Sequence, residues 1–196
     1  KTRSMLQKRG FLPNNIVRYA YRPFDIRWVY WEPEKKLLDE KRNDYFPHLF
    51  PQNIWLEARQ RQPMNKFDRG FITRVLGDNF GNGLSSFFPL YLKPFPNKND
   101  YQPNLSAAAA NYLASLDADA PALFYHIVAI LHAPAYRAEN SGALKQDWPR
   151  IPLPATWEQL LASAELGRQI AALLDTETPL PGVTQGKPRP ELAKIA

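Results

Sequence analysis

The stretch "APALFYHIVAILHAPAYR" (120–137) decides the fold. It is apolar nearly all round, so the helix it predicts belongs inside the molecule rather than on a surface. A buried helix needs neighbours, and the same half of the chain supplies two. "LSAAAANYLASL" (105–116) has high helix propensity, with Ser106 as its cap. "ATWEQLLASAELGRQIAALLD" (155–175) is amphipathic and capped by Thr156, with Glu158 and Gln159 in its first turn. Leu160, Leu161, Ala164, Ile170 and Leu173 give it an approximate apolar stripe. Between the last two helices lies "DWPRIPLP" (147–154), too rich in proline for helix or sheet and expected as a rigid extended connector.

Upstream, the period changes to that of short strands. "NIVRYAYR" (15–22) and "DIRWVYW" (25–31) are β-branched and aromatic, separated by Pro23. "EPEKK" (32–36) is a polar turn, and "LLDEKRNDYFPHLF" (37–50) starts as a helix that Pro47 interrupts. "NIWLEARQ" (53–60), "GFITRVLG" (70–77) and "SSFFPLYLK" (85–93) are further strands, the last placed at an edge or bulge by Pro89. The expectation is an α+β fold in one domain spanning 1–196. Its β-rich first half (1–100) packs with a helical second half (101–180), and 181–196 is a linker or the start of a truncated element.

The 196 residues suffice for a sizeable core without staples. Cysteine is absent, which excludes a disulfide scaffold, thiolate metal ligands and a cysteine nucleophile, and suits a reducing, cytoplasmic compartment. No apolar run is long enough to cross a bilayer, so no membrane partner is expected. The opening "KTRSMLQKRG" has neither an initiator methionine nor a signal-peptide core, as expected for a piece of a longer protein. The net charge of +6 is unevenly spread: residues 1–100 hold 18 Lys/Arg against 10 Asp/Glu, residues 101–196 hold 7 against 9. A basic half backed by a near-neutral one suggests a polyanion-facing surface on a packed support.

Catalytic patterns are weak. Asp25 with Glu34 and Lys36 imitates the carboxylate and E-x-K set of a magnesium-dependent nuclease, but the E-x-K follows Pro33 in a turn, where Glu34 and Lys36 do not share a pleated face. "GDNFGNG" (77–83) precedes a strand pattern rather than the helix that a phosphate cradle requires. His126 and His132 are six residues apart and face different sides of a helix, so His126 is expected as a hydrogen-bonded core residue.

The remaining signal is arginine among rings. In "RPFDIRWVYW" (22–31) the favoured reading is a two-faced buried strand. Ile26, Trp28 and Tyr30 would face one layer, Val29 and Trp31 another, and Asp25 would pair an arginine. In "EARQRQPMNKFDRGFITR" (57–74) basic and amide side chains outnumber plausible core positions, which favours surface binding. Arginine forks hold phosphates or the guanine edge, and amides read adenine. The candidate DNA-binding set is Lys35, Lys36, Arg42, Arg59, Gln60, Arg61, Gln62, Asn65, Lys66, Arg69 and Arg74.

Three blocks carry a family resemblance: "YRPFDIRWVYW" (21–31), "FFPLYLKP" (87–94) and "FYHIVAILHAPAYRAENSGALKQDWPRIPLP" (124–154). Together they resemble the C-terminal specificity region of type ISP restriction–modification enzymes, over roughly residues 15–175. The resemblance implies a non-catalytic target-recognition domain for double-stranded DNA. It also implies a parent polypeptide with nuclease, helicase-type ATPase and N6-adenine methyltransferase parts, the methyltransferase domain being an intramolecular partner. S-adenosylmethionine, ATP and magnesium would serve the parent, with no cofactor in this fragment, which lacks "NPPY"-type, glycine-rich and Walker motifs. The alternatives are the metal nuclease on Asp25, Glu34 and Lys36, and an interdomain protein-docking module using the helical half.

Overall fold

The computed structural model describes residues 2–32, 37, 42–61, 70–79, 84–94 and 100–182. Strands occupy the first half and helices the second, an α+β arrangement as the periodicities predict. Helix α1 (Thr2–Arg9) leads into a hairpin of β1 (Ile16–Arg22) and β2 (Asp25–Tyr30). Next comes an antiparallel sheet ordered β4-β3-β5, from β3 (Trp55–Ala58), β4 (Gly70–Thr73) and β5 (Ser86–Pro89). Pro89 lies on the edge strand, where its missing N–H costs no ladder bond. A short pair, β6 (Tyr91–Leu92) with β7 (Gln102–Pro103), leads to helices α2 (Ala107–Ser115), α3 (Ala120–His132), α4 (Pro134–Glu139), α5 (Ser141–Leu144) and α6 (Trp157–Leu174).

The central strand β3 is buried at all four positions, because both faces of the sheet are covered. Leu56 and Ala58 point with Ile72 into the helical layer, against Phe124, Val128 and Leu131 of α3. Trp55 points the other way, to Leu76 and Phe87, with Tyr45, Phe46 and Leu49 closing an aromatic layer. Asn53, wholly buried, extends the ladder with its side chain. Its Nδ2 donates to the carbonyls of His48 and Tyr91, while its Oδ1 accepts from the N–H groups of Ile54 and Tyr91.

Ser106, Asp119 and Thr156 cap α2, α3 and α6 through side-chain oxygens that accept from backbone N–H groups three residues on. The stretch 120–137 is two helices rather than one. Pro134 forces Ala133 into extended backbone (ψ 121°), and Arg137 Nε turns back to donate to the Leu131 carbonyl at 2.8 Å. On α6 the buried stripe is Leu160, Ala164, Gly167 and Ala171, while Leu173 of the expected stripe is exposed. The small residues let α6 meet α3 at very short range: a Cβ on Gly167 would stand 1.8 Å from the Tyr125 carbonyl oxygen.

The connector 148–154 is extended, as expected, and alternate carbonyls along it are satisfied by the helices. Tyr136 donates to Arg150 O (3.1 Å), His126 Nε2 to Pro152 O (2.8 Å) and Tyr112 to Pro154 O (2.9 Å). His126 Nδ1 then accepts from the Ser163 hydroxyl at 2.8 Å, so the neutral ring bonds at both nitrogens.

The β1–β2 hairpin departs from expectation. Among the described residues it has two strands, joined to the sheet region through Ala20, whose N–H donates to Leu76 O and whose carbonyl accepts from Asp78 N–H. Trp28 is 68% exposed, so residues 22–31 are not a two-faced buried strand. The hairpin tip places Phe24 at φ +64°, a left-handed position usually given to glycine. Its ring packs edge-on against Phe71. Of the helix expected from residue 37, positions 38–41 lie outside the described residues, and the described part holds one 3-10 turn, Phe46–His48, with Pro47 inside it. Of the expected tail, residues 183–196 also lie outside the described set.

Gly167→Ala is expected to cost about 2 kcal/mol or more through overpacking against backbone. Differential scanning calorimetry should show that as a Tm lower by roughly 4–8 °C. A second expectation concerns pH. Burial lowers the pKa of His48, His126 and His132 from the ordinary histidine value. The unfolded chain therefore binds protons more readily, and stability must fall as pH drops below about 6.5. Carboxylates whose pKa is depressed lose their contribution only near about pH 4 and below. Urea midpoints should thus decline between pH 7 and 5.

Candidate nucleic-acid interface

Both sheet faces being covered, cationic side chains reach solvent from the strand ends. The chain leaves β3 as half-buried Arg59 and exposed Gln60 and Arg61. This end of the sheet is fixed where Ala58 pairs with Gly70, whose carbonyl accepts from His132 Nε2 of α3. Gln60 Nε2 donates to Asp147 Oδ1 at 3.4 Å, and the Trp148 N–H donates to the same oxygen at 2.8 Å. The Trp148 N–H and then the Gln60 amide hold the Asp147 carboxyl below the usual carboxylate range, helped by the positive fields of Arg150 and Arg61. Four donors or cations, two just after β3 and two from the connector, thus surround one carboxylate.

Beside them, Trp148 meets Phe88 of β5 edge-to-face, ring centroids 5.6 Å apart, both partly exposed. Behind the pair lies an apolar cavity of about 510 Å³ lined by Leu56, Ala58, Leu105, Phe124, Leu131 and Ile151 among others. The arrangement offers charge-assisted bonds to anionic oxygens from one rim and flat rings on the other. Phe88, Trp148 and Arg150 were not among the sequence candidates. The available signal was a tryptophan and an arginine in a proline-rich connector that has no periodic face to bury them.

The remaining candidates do not gather here. Arg42, at φ +54°, lies over the Tyr45 ring in the aromatic layer, on the opposite face of the sheet from the helices. Arg74 follows the far end of β4 and is committed to packing: its Nε donates to Asp175 Oδ2 at 2.8 Å. Burial alone would raise the Asp175 pKa, but the Glu177 N–H, Arg74 and Thr178 outweigh it and hold the carboxyl low. Lys35, Lys36, Gln62, Asn65, Lys66 and Arg69 lie outside the described residues, as does Glu34 of the nuclease alternative. Asp25, the third member's carboxylate partner, is gripped by Arg27, with Nη2 to Oδ2 at 2.7 Å. Among the described residues no three His, Asp or Glu side chains converge as metal ligands.

The family model described as the type ISP C-terminal specificity domain matches residues 1–193. The chain belongs to that family. Among curated proteins nothing matches this specificity domain. Its fold recurs in solved structures. One is a cryo-EM structure of a DrdV–DNA complex, at 24% identity and TM-score 0.70, covering 95% of this chain and 18% of that one. A nuclease-deletion mutant of the type ISP restriction–modification enzyme LlaGI, in complex with a DNA substrate mimic, matches at 22% and 0.62 over 88% and 15%. The ATP-dependent type ISP enzyme LlaBIII, bound to DNA, matches at 18% and 0.70 over 91% and 12%. The specificity domain therefore spans less than a fifth of each of these chains.

Arg74→Met should leave the buried Asp175 carboxylate without its cation and cost about 1–3 kcal/mol. Arg61→Met, at an exposed position, should change stability by no more than about 0.5 kcal/mol. Parallel urea titrations of the two variants check the contrast.

Proposed function

We propose that this specificity domain recognises a target sequence in double-stranded DNA on behalf of a longer parent polypeptide. It performs no chemistry itself. The observation that carries the reading is the passage, within three residues, from a wholly buried strand to exposed Gln60 and Arg61. Such a base holds base-reading side chains rigidly at a solvent-facing edge, where they can meet a groove. Arg59, Gln60 and Arg61, joined by Arg150, set phosphate register and supply groove contacts. Lys35, Lys36, Gln62, Asn65, Lys66 and Arg69 are assigned the same role on side-chain type alone; Arg42 and Arg74 serve mainly the packing described above. Family membership and the DNA-bound relatives of the same fold support this reading.

The parent, on this proposal, combines the domain with an N6-adenine methyltransferase, a helicase-type ATPase and a nuclease. S-adenosylmethionine, ATP and magnesium act in those parts, in the cytoplasm. No observation favours the nuclease alternative, since the described Asp25 carboxylate is already neutralised by Arg27.

Fluorescence anisotropy with labelled duplex between 50 and 200 mM salt tests the proposal. With about five phosphates contacted, log K should fall against log salt with a slope near −4.5. Arg61→Met should flatten that slope by about 0.9 if it removes one phosphate contact. Affinity indifferent to salt would overturn the reading.

A further inference from the structure

We propose that the exposed aromatic face of the β1–β2 hairpin, with the groove it shares with α1, is a protein-docking surface that seats the catalytic body of the same parent polypeptide. The inference deepens the reading above, on which it rests for the existence of that body. Trp28 lies mid-strand with its ring in solvent, and Phe11 is 65% exposed. The cross-strand register puts Ile16 opposite Tyr30 and Arg18 opposite Trp28 on one face of the hairpin. Phe11 packs on Tyr30, ring centroids 5.7 Å apart. From there the face continues into an open groove of about 660 Å³ lined by Leu6, Gly10, Phe11, Tyr30 and Leu37.

A second, independent feature borders the same groove. α1 is eight residues long and buries none of them. A helix that short is marginal in water by itself. Its C-terminal end is pinned by the Arg9–Glu32 ion pair, with Glu32 buried, and by the Phe11–Tyr30 contact. The rest of α1 is half-buried or exposed.

Charge and ring content both bear on which partner suits this face. Next to the rings, Arg9 pairs with Glu32 and Arg18 with Glu177, while Arg3 lines the groove and Lys8 is exposed on α1. Trp28, Phe11 and Tyr30 rings together with arginines beside a largely apolar groove have the composition of a protein–protein hot spot. In the solved relatives this fold is 12–18% of the chain, so most of the polypeptide lies outside the matching domain and is tethered to it. Tethering gives effective concentrations in the millimolar range, at which a patch of this size suffices to dock.

Hydroxyl-radical footprinting of the wild-type full-length parent tests this without a substitution that risks misfolding. Trp28 and Phe11 should be modified at least fivefold more slowly in the DNA-free native parent than in the parent unfolded by denaturant, at every protein concentration. Modification of both at the unfolded rate would overturn the proposal. Protection arising only on adding target duplex would reassign the face to DNA, and protection that grows with protein concentration would reassign it to a second copy. The salt titration reads DNA recognition separately, so either proposal can fail while the other stands.

Discussion

The close contact between Gly167 and the backbone of Tyr125 is the constraint on which the architecture depends. α3 is apolar around its circumference and cannot leave a face to water. One side is taken by the sheet through Phe124, Val128 and Leu131, another by α6 through the stripe Leu160, Ala164, Gly167 and Ala171. Only a residue without a Cβ allows the second helix so near. The position of α6 in turn sets where Asp175 emerges, and Asp175 holds Arg74 at the end of β4. One missing methyl thus propagates from the helical layer to the strands.

The connector shows how an irregular segment becomes part of a rigid core. Pro149, Pro152 and Pro154 lack N–H groups, so the segment offers mainly acceptors. Three donors, from α4, α3 and α2, reach alternate carbonyls and leave the backbone satisfied without a sheet partner. The family signature in 124–154 therefore has a physical content: α3 brings His126 and α4 brings Tyr136 to the carbonyls that "WPRIPLP" presents.

Much of the fold was legible because its signals are local. The caps at Ser106 and Thr156, the strand segments and the edge placement of Pro89 each depend on a few neighbouring residues. What failed depends on distant partners. Alternation in "DIRWVYW" fits a strand, but it does not say whether a further layer covers it, and Trp28 is exposed. Leu173 looked like core by hydrophobicity, whereas Gly167 and Ala171 are core because α3 needs their smallness. The candidate site divides likewise. Arg61 looked exposed and is exposed; Arg74 looked equally available, yet its partner lies 101 residues away in sequence. Phe88 and Trp148 meet only because β5 and the connector converge.

The two-sided cover of β3 also governs how the molecule comes into being. Leu56, Ala58 and Ile72 leave the ribosome long before α3 and α6, whose residues shield them. At usual synthesis rates of about 5–20 residues per second, the interval from β3 to the end of α6 lasts roughly 6–23 s. During it the nascent sheet carries a naked greasy flank until the last helix arrives to close it.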